Sequence, residues 1–152
     1  MLTALYRSAI VWTVVGLVGG VSYREMTKFA GFTGTTHLSV VHTHALALGT
    51  LMLLIVLALT VALKLQRHRL LRLFVIVWNV GLTITIGMLA FKGFVQVQGA
   101  SWADSAALAG IAGLGHITLT VGFVLLLMVV GAGVKAANGV DVPALQLQAG
   151  ER

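Results

Sequence analysis

Residues 45–72 read ALALGTLMLLIVLALTVALKLQRHRLLR. From Ala45 to Leu63 no residue is charged, and a helix of that length comes close to covering a hydrocarbon core of about 30 Å. The stretch from Lys64 to Arg72 then places Lys64, Arg67, Arg69 and Arg72 together with no acidic residue. An apolar run ending in a purely basic loop is the pattern of a membrane helix leaving the bilayer on the cytoplasmic side.

Three further segments read the same way. The first runs from about Ser8 to Tyr23 between Arg7 and Arg24, short enough to need interfacial help from Tyr6 and Tyr23. The second begins near Thr36 and includes the quoted run, the third fills Leu73 to Phe91, and the fourth lies within Ser105 to Val134. The expected fold is therefore all-α, an integral membrane four-helix bundle with both termini cytoplasmic. Residues 1–135 form the four-span domain, and residues 136–152, with the chain's one proline at Pro143, read as a flexible cytoplasmic tail.

Composition agrees. Of 152 residues, 59% are hydrophobic and 9% charged, against roughly a quarter charged in soluble domains. The formal charge of +6 does not mark a nucleic-acid surface, because the cations sit at the ends of apolar runs. The absence of cysteine excludes disulfides, thiolate metal sites and covalently attached c-type haem. Any metal must use histidine, carboxylate, methionine or backbone ligands.

On this topology His37, His42, His44 and His116 occupy the outer half of the membrane, and His68 is a solvated residue of the basic loop. With a second helix starting near Thr36, His42 and His44 lie about 9 to 12 Å along it. With a fourth helix starting near Ser105, His116 lies about 16 Å along from the same side. Ionisable residues at such depth usually face a bundle interior or a cavity. At 100° per residue His42 and His44 point about 200° apart, whereas His37 and His44 share a face. The first pair therefore suits two different sites, or one ligand and one hydrogen-bonding residue.

Neutral imidazole ligates haem iron as well as copper or zinc. Haem b held by histidine nitrogens is the first expectation, for electron transfer or diatomic gas binding. Two alternatives stand beside it: a copper or zinc binding or transport site built from His37, His44, His116 and Glu25, and a structural or assembly subunit without cofactor. Whether the protein is an enzyme stays open. Arg24, Glu25, Lys28 and Lys92 flank the outer ends of the spans, where Glu25 suits an interfacial ion pair or a supporting carboxylate and the cations suit haem propionates. Gly16 and Gly20 in the first span, and Gly110, Gly113, Gly115 and Gly122 in the fourth, allow close helix packing or leave space for a flat cofactor. Asn79, Thr83 and Thr85 suit hydrogen bonds between helices.

The octad His42-Thr43-His44-Ala45-Leu46-Ala47-Leu48-Gly49 resembles the His-x-His helix of the catalytic subunits of haem-copper oxidases and nitric oxide reductases. In that family neighbouring histidines ligate two haems from opposite faces of one helix, so the resemblance implies haem-ligand roles for His42 and His44. Those subunits carry twelve spans in three arcs of four, and a homotrimer of this chain imitates that layout. Through Tyr23-Arg24-Glu25-Met26-Thr27-Lys28, the His-Thr-His stretch and Gly115-His116, the chain also resembles a small bacterial family of four-span proteins of unknown function. That resemblance implies a bacterial cell membrane and supplies no activity. The expected partners are the lipid bilayer, further copies of the chain and a redox partner.

The first apolar run follows Arg7 as a secretory signal would, but Tyr23-Arg24-Glu25 follows it without a small-x-small cleavage pattern. It reads as a retained helix. Sequencing the purified protein from its N-terminus is expected to begin ahead of Arg7; a start after Tyr23 overturns that reading.

Overall fold

The computed structural model describes residues 1–139, all helical or in short connections. Four helices are long and apolar enough to cross a membrane: α1 (Leu2–Phe29), α2 (Leu38–Ala62), α3 (Arg69–Val97) and α4 (Ala106–Asn138). Each leaves an apolar face uncovered, for instance Val14, Leu17, Val18 and Val21 on α1 and Leu114, Ile117, Val124 and Leu127 on α4. In lipid such faces need no cover, and helices satisfy their backbone polar groups internally.

Every helix extends past the apolar run that announced it. α1 continues through Arg24, Glu25 and Lys28 because charged side chains at a membrane interface do not interrupt a hydrogen-bond ladder. It ends where Gly31 adopts φ +58°, with Gly31 N–H donating to Lys28 O and Phe32 N–H to Thr27 O. α3 ends the same way at Gly99, φ +69°, with Ala100 N–H donating to Val95 O. Both are left-handed glycine caps that satisfy the last carbonyls. His68, expected as a solvated loop residue, is half-buried, and its Nδ1 accepts the Leu70 N–H at 3.3 Å to cap the start of α3. α4 runs three residues beyond Lys135 to Asn138. The remainder of the expected tail, from residue 140, lies outside the described residues.

α1 packs along α2, α2 on α3, and α3 along nearly the whole of α4. Glycines set the close approaches. A Cβ at Gly16 would meet Leu46 at 2.7 Å, one at Gly122 would meet Trp78 at 2.8 Å, and one at Gly115 would fall 2.5 Å from Thr85 Oγ1. Gly110 and Gly113, by contrast, have open space beside them. Of the fourth-span glycines, Gly115 and Gly122 therefore serve close packing, and Gly110 and Gly113 do not.

At the centre, α2 departs from α geometry. Ala45–Leu51 form a π-helical segment directly after His44, and two tryptophans hold it. Trp12 of α1 lies against Gly49, where a Cβ would collide with the Trp12 side chain, and its Nε1–H donates to Asn79 Oδ1 of α3 at 2.9 Å. Trp78 of α3, fully buried, donates its Nε1–H to Leu48 O at 3.0 Å and meets Phe123 of α4 edge-to-face at 4.7 Å between ring centres. Thr13 and Thr50 add a hydroxyl bridge of 2.9 Å between α1 and α2. Gly49→Leu forces Trp12 out of its seat, at a cost of about 1–3 kcal/mol. Trp78→Phe removes the donor to Leu48 and costs about 1 kcal/mol or more. Thermal unfolding in detergent is expected to show lower midpoints for both, with Gly131→Ala, whose Cβ meets nothing, no less stable than wild type.

Candidate functional site

The groove between the Leu38 end of α2 and α4, floored by α3, brings three of the predicted residues together. His37, Lys92 and His116 line it with Met88, Leu89 and Gly113, around a space of about 340 Å³. At its mouth α2 is anchored by polar contacts to the end of α3. Thr36 Oγ1 donates to Gly93 O at 2.8 Å, and both the backbone N–H and the ring Nδ1 of His37 contact Gln96 Oε1 at 2.9 Å. Gly93 makes that anchoring possible, since a Cβ there would collide with the Leu38 backbone nitrogen.

Depth follows from the glycine contacts. α2 runs antiparallel to α3 with Leu38 against Gly93, which sets His44 opposite Gly87. α4 also runs antiparallel to α3, with Gly115 against Thr85, which sets His116 opposite Ile84. His44 and His116 therefore differ in depth by three residues of α3, about 4.5 Å. His44 shares its face of α2 with His37, seven residues before it, and thus with the residue that lines the groove.

The imidazoles are oriented by one recurring contact. His44 Nδ1 lies 2.8 Å from Val40 O, and His116 Nδ1 lies 3.0 Å from Ala112 O, each the carbonyl four residues back in the same helix. A carbonyl oxygen only accepts, so Nδ1 carries the proton and, in the neutral ring, Nε2 presents its lone pair. Gln96 Oε1 imposes the same tautomer on His37. This is the arrangement that metal-binding imidazoles adopt, with one nitrogen tied to the protein and the other free.

His42 differs on each count. It packs against Gly20 of α1, its Nδ1 is buried without a hydrogen-bond partner, and its Nε2 lies 3.3 Å from the Thr43 hydroxyl. The divergence of His42 and His44 expected from helical geometry is present. Only His44 shares the face of His37.

The flanking charges pair locally. Glu25, half-buried, meets its well-exposed neighbour Arg24 at 3.3 Å, a contact at the surface that is worth little. Neither residue, nor the exposed Lys28, lines the groove. Lys92 lies inside it, its side chain 18% exposed, 3.2 Å from Asp104, whose side chain is 81% exposed. Among the described residues no three His, Asp or Glu side chains converge as a metal cage. Asn79 does bond between helices, to Trp12, whereas Thr83 turns back to Asn79 O and Thr85 Oγ1, buried without a partner, faces Gly115. Gln96 and Asp104 carry no sequence signal of their own. Only the register of α2 and α4 on α3 shows what they touch.

Neither the curated proteins nor the solved structures contain a match to the chain. The likeness of the octad to the oxidase helix rests on those eight residues alone. A family match covers residues 2–133, and so all four helices nearly to their ends. On that match the chain belongs to the family described as protein of unknown function (DUF2871).

Proposed function

We propose that this chain is a membrane haem b protein, with His116 supplying an iron ligand in the groove between α2 and α4 and His44, which lies on the α2 face of His37 but outside the groove's lining, as the candidate second ligand, for electron transfer or diatomic gas binding. The observation that carries the reading is the shared tautomer. Both imidazoles commit Nδ1–H to a backbone carbonyl and leave Nε2 free, at nearly equal depth on α2 and α4. An imidazole held that way against lipid has an unsatisfied acceptor, and a metal satisfies it.

Ligand number separates haem from a bare ion. Copper or zinc asks three or four donors of the protein, and among the described residues no such cluster exists. Haem brings four nitrogens of its own and asks for one or two. The open space at Gly113, and the absence of any neighbour for a Cβ at Gly110, leave room beside His116 for a flat group. When bound, haem supplies one-electron exchange or a gas-binding iron. The chain's residues would hold the imidazole rings through Val40 O and Ala112 O and offer the apolar groove side chains Met88, Leu89 and Leu108. Two histidines holding the group would suit electron transfer to a redox partner, and one alone would leave room for a gas.

The protein is expected, purified with adequate haem, to show a Soret band and sharp reduced α and β bands. His44→Ala and His116→Ala each lose or alter them, and His42→Ala and His68→Ala keep them. Carbon monoxide shifting the reduced spectrum marks an open iron position. A colourless protein sinks the reading, and elemental analysis then separates a copper or zinc protein from a subunit without cofactor.

The reading includes orientation: both termini and the 64–68 connection in the cytoplasm, the groove on the outer side. Arg7, Lys64, Arg67, Arg69, Arg72 and Lys135 at one end support it through the positive-inside rule. With no native cysteine, single substitutions test it directly. In intact cells an impermeant maleimide is expected to label Ser101→Cys and spare Thr3→Cys; the reverse pattern inverts the protein.

A further inference from the structure

We infer that Lys92 binds a carboxylate of the groove's ligand, a porphyrin propionate, in exchange for Asp104. The inference rests on the haem reading and adds to it the residue that fixes which edge of the porphyrin faces outward.

The two members of the Lys92–Asp104 pair sit in unlike surroundings. Lys92 projects from α3 onto the groove wall that also carries His37 and His116, with its side chain 18% exposed. Asp104 approaches from the connection between α3 and α4 with its side chain 81% exposed. A carboxylate so well hydrated gains little from the pair and loses little when released. An ammonium on an apolar wall needs an anion. The pair is therefore exchangeable from one side: another carboxylate entering the groove can take the place of Asp104 without stranding either charge.

Position along α3 specifies the entrant. Lys92 stands five residues outward of the level of His44 and eight outward of His116, about 7.5 and 12 Å along the axis. A ligand touching both Lys92 and His116, which line the same groove, has an apolar body at the imidazole and a carboxylate toward the loop end. Porphyrin has that shape, with both propionates on one edge of an apolar ring. Among the described residues lining the groove, Lys92 is the one Lys or Arg. Arg24 is occupied with Glu25 on α1.

The test compares haemin with its dimethyl ester, in which the propionate charges are gone, by titration of the full chain in detergent. Wild type is expected to bind haemin about tenfold more tightly than the ester, the usual worth of a charge-assisted hydrogen bond. Lys92→Met abolishes that preference by weakening haemin alone, and Asp104→Asn keeps the preference and tightens haemin. Equal binding of the two porphyrins by wild type overturns the inference and needs no variant to fold. Equal losses in Lys92→Met and Asp104→Asn also overturn it, since they mark an ion pair that serves only the loop. Failure of wild type to bind either porphyrin overturns it together with the haem reading, a result distinct from equal binding.

Discussion

The contact on which the bundle turns is the indole N–H of Trp78 meeting the carbonyl of Leu48 inside the π-helical turn of α2. In a bilayer no water is present to complete a poorly served backbone group, so a helix that leaves α geometry at mid-membrane needs donors from its neighbours. Trp78 provides one, and its ring simultaneously fills the space that Gly122 leaves on α4 and meets Phe123. Trp12 completes the arrangement from the other side, lying on Gly49 and bonding to Asn79 of α3. Two tryptophans thus connect all four helices at one level. The wide turn they hold begins at the residue after His44, so the rotation of the first half of α2 is fixed by a contact near the centre.

That rotation decides which histidine belongs to which surface. Residues two apart on a helix cannot share a face, and the first half of α2 sends His42 to the Gly20 side and His44 to the side of His37. Glycine acts again on α4, where Gly115 lets the helix settle on Thr85 and so places the next residue, His116, at its depth. The Gly-His pair is a single device in which the small residue positions its neighbour. The histidine end is then closed off by Thr36, Gln96 and Gly93, which tie the start of α2 to the end of α3.

Much of this was legible in the sequence, for reasons that also explain what was not. The four spans are visible because charge is excluded from the hydrocarbon core. Their ends are less visible, because that exclusion stops at the interface while the hydrogen-bond ladder continues to Gly31 and Gly99; both glycines did offer a signal, as the residues that tolerate a left-handed cap. The divergence of His42 and His44 needs only the helical repeat. By contrast, ALALGTL carries only Gly49, which helices between packed neighbours also tolerate, to hint at a π turn, histidine is not a habitual N-cap that would single out His68, and no local pattern relates Gln96 to His37 or Asp104 to Lys92. Those relations are set by the register of antiparallel helices, and register depends on glycine contacts between segments more than fifty residues apart, such as Gly93 with Leu38.

The uneven packing of α4 gives the histidine surface its meaning. α4 lies along α3 and meets the rest of the chain chiefly at the basic end, near the turn Leu65–Arg67, where Gly133 adjoins Leu63 and Leu65. At the opposite end α2 and α4 diverge, and the space between them holds His37, Lys92 and His116. Hydrophobic residues alone would have closed that corner at no electrostatic cost. A half-buried ammonium and imidazoles with their Nδ1 protons already committed are an expensive way to line an apolar groove, because each lone pair or charge left facing lipid is desolvated without return. Helix packing does not require them there, since the close α3–α4 contacts run through Gly81, Gly115 and Gly122. The polar residues that do face the groove, His37, Lys92 and His116, are the exceptions in an otherwise apolar lining of residues such as Met88, Leu89 and Leu108.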